Sequence, residues 1–288
     1  MGESRRTFVL HPGRRGRPGR LLGTVIGAAA LLAAGAMLAP AGASMRAASH
    51  RSALGVLQPV AGKAVPLHGG TVSSLNWSGY AVTGTGITGV TSTFTVPTAG
   101  LIPPGFTATW AGIGGYNTSD LIQAGVGEQS LPSAPLVGAQ YSAWWETLPN
   151  AETPISGCSG DPNCTVNPGD TVTVNIANAG GNNWKISMTD ANHWSWSLNV
   201  SYASSESSAE WILEAPSLAV VQTIAAPVGV AHFGPTSTFN QGGTKTIAQG
   251  NPTTIDMGLG IGPNEATPSP LASDGQSFDV CTYSSSCS

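Results

Sequence analysis

Polar and apolar residues alternate along much of the second half of the chain, and turn residues break the alternation at short intervals. Thr171 to Ile176 alternates, and so does Trp184 to Met188. Trp194 to Tyr202 places Trp194, Trp196, Leu198, Val200 and Tyr202 on one face, because successive side chains of a strand point to opposite sides. Ala179 to Asn183 and Ala191 to His193 read as the turns between these runs. Ser208 to Glu214 predicts a strand with Ala209, Trp211 and Leu213 on one side and Glu210, Ile212 and Glu214 on the other. In Leu121 to Val126 the apolar set is Ile122, Ala124 and Val126, which leaves Gln123 on the opposite face. Gln140 to Thr147 groups Ser142, Trp144 and Glu146. No window of helical period exceeds about ten residues, and no longer period marks a repeat. The fold expected is all-β, an antiparallel two-sheet β-sandwich of jelly-roll or lectin-like type.

Composition agrees with this and then divides the chain. Of 288 residues only 9% are charged, while 38 are Gly and 21 are Pro. That excludes a disordered polyelectrolyte, a coiled coil and a basic nucleic-acid-binding domain. Residues 1–70 carry nine basic side chains and one acid, Glu3; residues 71–288 carry fourteen acids and two bases, Lys185 and Lys245. Within the first part, an Arg-rich stretch precedes the apolar run 21–39, and Ala41-Gly42-Ala43 offers small residues for cleavage. Residues 1–43 are therefore expected to be a secretory signal peptide, with an uncleaved membrane anchor as the alternative. Ser4 to Phe8 also resembles a twin-arginine export signal. Residues 44–70 hold Arg46, His50, Arg51, Lys63 and His68 and no acid. They read either as a linker or as a basic pro-segment lying over an acidic mature domain of residues 71–288, to be released as acid protonates the carboxylates.

All four cysteines fall in the mature part. In an exported chain they favour two disulfides. Pairing of Cys158 with Cys164 and of Cys281 with Cys287 is the first expectation among three possible connectivities. A metal site is not expected, since neither His193 nor His232 sits at a ligand spacing from a cysteine. Both histidines read as structural or solvated.

Most chemistries lack their motifs. The sequence has no Gly-x-Ser-x-Gly elbow, no His-Glu-x-x-His, no P-loop and no Asp-Thr-Gly or Asp-Ser-Gly. Gly258 to Gly262 reads as a turn. Two lysines cannot neutralise a phosphate track, so no nucleic-acid partner is expected. What remains is carboxylates and amides beside tryptophan. Glu210 and Glu214 share a strand face with Ile212, which is costly unless that face lines a wet cleft or finds partners. The alternative is a solvated outer face.

Five segments resemble the eqolisins, the glutamic peptidases: Asn76 to Tyr80, Trp110 to Gly114, Leu121 to Gly125, Gln140 to Glu146 and Ser208 to Glu214. Phe233-Gly234 and Leu271 to Phe278 fit as well, all in family order. The resemblance implies a β-sandwich made as a secreted precursor, active as an acid endopeptidase on protein or peptide substrates, with no metal or other cofactor. By motif it places the catalytic pair at Gln123 and Glu210. Trp77, Trp110, Trp144, Glu146 and Glu214 are the candidates for lining or supporting the site. Peptide hydrolysis needs an activated water, a donor for the forming oxyanion and a proton for the leaving amine. A carboxyl and a carboxamide supply these, and the amide does not titrate in acid.

The chain departs from the fungal pattern at Gly114 and Ser142, where those members carry Asp. Two rival functions stand beside the peptidase. One is a carbohydrate-binding module that uses its tryptophans as stacking platforms. The other is a glycosidase using Glu210 and Glu214, which an ideal strand holds about 13 Å apart, beyond the usual carboxyl separation. Nothing marks an oligomer seam or a membrane partner after signal removal, so a secreted monomer is expected.

Overall fold

The computed structural model describes residues 57–58, 65–66, 70–131, 138–191, 193–218, 221–258 and 263–288. The proposed signal peptide, most of residues 44–70 and residues 259–262 of the expected turn lie outside them.

The regular secondary structure of the described residues is β-strand, and the only helical element among them is a single 3-10 turn, Ile247–Gly250. In chain order the main strands are β1 (Thr71–Ser74), β2 (Trp77–Thr83), β3 (Gly89–Thr95), β4 (Phe106–Gly114), β5 (Leu121–Leu131) and β6 (Gly138–Thr147). They continue as β7 (Thr171–Gly180), β8 (Asn183–Asp190), β9 (Trp194–Ser201), β10 (Ser208–Glu214), β11 (Val230–Phe233) and β12 (Thr238–Asn240). The last are β13 (Thr244–Thr246), β14 (Thr253–Met257), β15 (Ala266–Pro268) and β16 (Phe278–Thr282). The three alternating runs at 171–202 become β7, β8 and β9, paired in register Val172↔Asp190 and Trp184↔Val200.

Pairing is antiparallel throughout these strands except between β1 and β14. It forms two arms. One runs β9–β8–β7–β3–β11–β16–β15. The other runs β6–β5–β4–β10–β2–β14–β1. The sequence led us to expect two separate sheets. Instead, the pair Met257↔Ala266 joins β14 to β15 and makes the arms one continuous curled sheet. The link is local: β14 and β15 are consecutive in the chain, so alternation within each could not reveal it.

The arms pack on each other through one apolar core. Val172, Val174, Ile176, Trp184, Ile186 and Met188 come from the first arm, and Ile113, Ile122, Val126, Ala209, Trp211 and Leu213 from the second. Each Trp211-sized side chain withdraws on the order of 200 Å² from water, about 5 kcal/mol before the entropic cost. Trp211 also satisfies its indole N–H across the arms, donating to the Thr91 carbonyl at 2.9 Å. Tyr80 does the same, its hydroxyl donating to the Ser269 carbonyl at 2.6 Å. Its ring meets Phe278 edge-on at 4.8 Å. Both expected disulfides are present, Cys158–Cys164 and Cys281–Cys287.

β10 is flanked by β2 and β4 and is buried on both faces. The solvated-face reading of Glu210 and Glu214 is therefore wrong: both are fully buried. Close strand contact here depends on Gly79, which has φ +141° and whose added Cβ would lie 2.1 Å from the Trp211 carbonyl oxygen. We expect Gly79→Ala to cost about 3 kcal/mol or more. Urea unfolding of the variant measures it, and a loss under about 1 kcal/mol would mean that β2 and β10 move apart freely.

Candidate active site

Strand register assembles the site. Glu210 on β10 faces Gly112 on β4, Gly112 faces Gln123 on β5, and Gln123 faces Glu146 on β6. Ala81 on β2 closes the other end of this row. The next row on the same face is Gly79, Ile212, Trp110, Gly125 and Trp144, and the next is Trp77, Glu214, Ala108, Gly127 and Ser142. All seven residues singled out from the sequence thus share one face of four adjacent strands and β2. The opposite face of the same strands is the common core.

Glu210 and Gln123 are two strand spacings apart, about 9.5 Å at Cα. The residue between them is Gly112, which puts no side chain between the two and lets the Trp110 ring and Leu121 Cδ1 pack closely over its backbone. A Cβ there would lie 2.9 Å from the Trp110 ring and 3.1 Å from Gln123 Cβ. Gly125 serves differently: its Cβ would strike the Thr109 carbonyl at 2.3 Å and Trp110 at 2.5 Å. That contact explains why a glycine follows two residues after Gln123.

Gln123 Nε2 donates to Glu146 Oε2 at 2.7 Å, which fixes the amide. Glu214 accepts from Trp110 Nε1 at 2.9 Å and from Asn76 Nδ2 at 3.0 Å. Trp77 packs edge-on against Trp110, with ring centroids 5.1 Å apart. These three tryptophans, Trp77, Trp110 and Trp144, are at most 1% exposed, which does not suit sugar platforms on an outer surface.

Buried polar groups are normally paired, yet several on this face are not. Gln123 Oε1, Glu146 Oε1 and Trp144 Nε1 have no hydrogen-bond partner. Burial drives the carboxyls toward their neutral forms. It pushes Glu210 well above the usual carboxylate range, helped by the charge of Asp120 and opposed by Ser208 and the Tyr116 amide. It pushes Glu146 to about 9, with Gln123 pulling it back and Glu214 adding to the rise. Glu214 is carried to about 8, opposed by Trp110, Asn76 and Trp77.

Sequence reasoning missed Asp120. Partial burial raises its pKa, but bonds from Ser205 and Thr118 outweigh that and hold it below the usual range. Its Oδ2 accepts from Ser205 N at 2.6 Å and sits where a Cβ on Gly114 would come within 2.8 Å. A carboxylate six residues after Gly114 thus lies beside it, anchored to the connection that leads into β10. No local pattern announces it, because Ser205, the partner that ties it to this connection, lies 85 residues away. The same connection is tied down by Tyr202, whose hydroxyl accepts from Leu121 N at 2.7 Å and donates to the Leu148 carbonyl at 3.0 Å. His193 and His232, set aside from catalysis in the sequence, lie on the other arm, paired with Asp190 and Asp279.

The fold has solved counterparts. Over 72% of this chain and 98% of theirs, it is similar to scytalido-glutamic peptidase crystallised with a transition state analog inhibitor (17% identity, TM-score 0.56). It is likewise similar to SCP-B, an eqolisin in complex with the tripeptide Ala-Ile-His (15% identity, TM-score 0.54). With aspergilloglutamic peptidase from Aspergillus niger the identity is 21% and the TM-score 0.51, over 62% of this chain and 99% of that one. No curated protein matches the chain. The model of the Peptidase A4 family matches residues 75–286, a span that begins just before the first tryptophan of the buried face and includes every residue of its rows. The chain belongs to that family, the eqolisins, and is a glutamic-type peptidase.

Proposed function

We propose that the protein is a secreted endopeptidase, active in acid, that hydrolyses peptide bonds between Glu210 and Gln123. The observation that carries this reading is the single row Glu210–Gly112–Gln123, which sets a carboxyl and an amide on one buried face with only a glycine between them. Water and substrate entering the face hydrate Glu210 and bring its carboxylate form back toward the ordinary range. The carboxylate takes a proton from water as the water oxygen attacks the carbonyl carbon. The carbonyl oxygen becomes anionic and accepts an N–H from Gln123 Nε2. Glu210 then gives the proton to the leaving nitrogen, and the C–N bond breaks. Glu146 occupies one N–H of the Gln123 amide and so aims the other. Glu214 holds the Trp110 ring that packs over Gly112.

Export and processing belong to the same proposal, with 1–43 as the signal, 44–70 as the pro-segment and 71–288 as the peptidase domain. The charge division supports it. So does backbone pairing of the proposed pro-segment with the domain, Leu57–Gln58 against Ser217–Leu218 and Val65–Pro66 against Val72–Ser73. A protein secreted in acid cultures, incubated with denatured casein or haemoglobin at about pH 2–5, should release peptides and lose its own first ~70 residues. Mass spectrometry reads both. A folded, processed protein that cuts neither substrate would refute the peptidase reading. Among the described residues no helix is long and apolar enough to cross a membrane.

A further inference from the structure

On β8 the inward series Trp184, Ile186, Met188 ends in an acid, Asp190, which is 3% exposed. On β7 the inward series Val172, Val174, Ile176 is preceded at the same parity by another acid, Asp170. Val172 pairs with Asp190, so register brings the two acids to the same end of the sheet. His193, in the turn between β8 and β9, meets both: its Nδ1 is 2.7 Å from Asp190 Oδ2 and 3.8 Å from Asp170 Oδ1.

Burying a carboxylate is costly unless each oxygen is paired. Asp170 gives its Oδ2 to the Asn167 amide at 2.6 Å and leaves Oδ1 toward the histidine. Asp190 Oδ1 is buried and has no partner. Among the described residues no lysine or arginine pairs with either acid. A proton on His193 would leave two carboxylates facing one positive charge, and Asp161 adds a third acid whose charge reaches the ring.

We propose that Asp170, Asp190 and His193 form a binding site for a divalent transition-metal ion of the zinc class. The three side chains each offer one ligand atom, and these atoms lie within 4.8 Å of one another. Zinc bonds of about 2.0–2.2 Å place tetrahedral ligand atoms roughly 3.3 Å apart. The two nitrogen–oxygen separations fall on either side of that figure, so small side-chain rotations suffice. A neutral imidazole with two carboxylates balances a divalent charge, and the half-exposed histidine leaves a fourth position to water. The mixed nitrogen and oxygen set disfavours calcium and magnesium, which take oxygen. The ion would tie the β8–β9 turn to the start of β7. The Cys158–Cys164 loop is fastened beside it through the bridge Ser159↔Ser195. Its role is structural, since it sits on the arm that does not carry the Glu210 row.

The test is titration of the metal-stripped full chain with zinc chloride near pH 7, followed by calorimetry and thermal unfolding. One equivalent should bind. At free zinc about a hundredfold above Kd, the Tm should rise by on the order of 5–10 °C. His193→Ala, an exposed change, should weaken that binding at least tenfold and remove the shift, and Asp190→Asn should do the same. His232→Ala, which removes the other acid-paired histidine, should leave both unchanged. Calcium should give no comparable shift. Absence of zinc binding below about 1 mM overturns the proposal, as does binding that survives His193→Ala, binding lost in His232→Ala, or an equal response to calcium.

Discussion

Glu210→Gln lowers kcat for peptide hydrolysis by about 10²–10⁴-fold, and Gln123→Ala lowers it by about 10²–10³-fold, while both proteins stay folded. The first substitution keeps the volume of the side chain and removes only its ability to carry a proton. Burial pushes the Glu210 carboxyl well above the usual range, so the fold gains little from its charge, and an amide can still bond to Ser208 and the Tyr116 backbone. The second substitution removes the oxyanion donor and strands Glu146 Oε2, which now accepts from Gln123 at 2.7 Å. Gln123→Met, close in volume, separates loss of the donor from loss of packing. On the proposed mechanism the two groups act on one water and one carbonyl, so the double variant should fall little further than Glu210→Gln alone. Peptide assays with circular dichroism read all of this. Full activity in either single variant would remove that residue from the reaction.

Stability should be greatest in acid and decline as the solution is made neutral. Glu128 is the cleanest reporter, since it points away from the Glu210 row into the space between the arms. It is fully buried, with Thr109 Oγ1 donating to one oxygen at 3.3 Å. Burial lifts its pKa to about 8, with the Thr107 and Thr109 hydroxyls pulling it back. Its unfolded value is about 4.3. A group raised in the folded state keeps its full contribution below the unfolded pKa and loses it as pH climbs to the folded one. Here the window is roughly pH 4 to 8, at about 1.4 kcal/mol per pH unit, on the order of 5 kcal/mol in all. Glu146 and Glu214, lifted to about 9 and about 8, add slopes of the same sign. Thermal unfolding from pH 3 to 8 should show Tm falling across that window, and Glu128→Gln should flatten part of the fall. A Tm that rises from pH 4 to pH 7 would contradict the assignment.

Much of this arrangement was legible in the chain because strand parity is local. The alternation in Ser208–Glu214 correctly separated Glu210, Ile212 and Glu214 from Ala209, Trp211 and Leu213, and the same rule set Gln123 against Ile122 and Ala124. Alternation says which residues share a face of one strand. It does not say which strands are neighbours, so the row from Glu210 to Glu146 needed the family resemblance to be anticipated. It also could not say that both faces of β10 are covered, which is why a solvated face stayed open. Asp120 and the Asp170–Asp190–His193 cluster escaped for a related reason. Each is assembled by register between segments, and the histidine was judged only by its spacing from cysteines. The expected pair of separate sheets gave way at one ladder position, a feature too small to leave a pattern.

The insertion of β10 between β2 and β4 has a consequence for the cell that makes the protein. β2 and β4 are complete by residue 114, yet they do not pair with each other, and the strand that unites them begins at Ser208. During synthesis, some ninety residues must emerge before the acid and the amide can share a surface at all. The order of the strands thus delays assembly of the Glu210–Gly112–Gln123 row until most of the chain has been made.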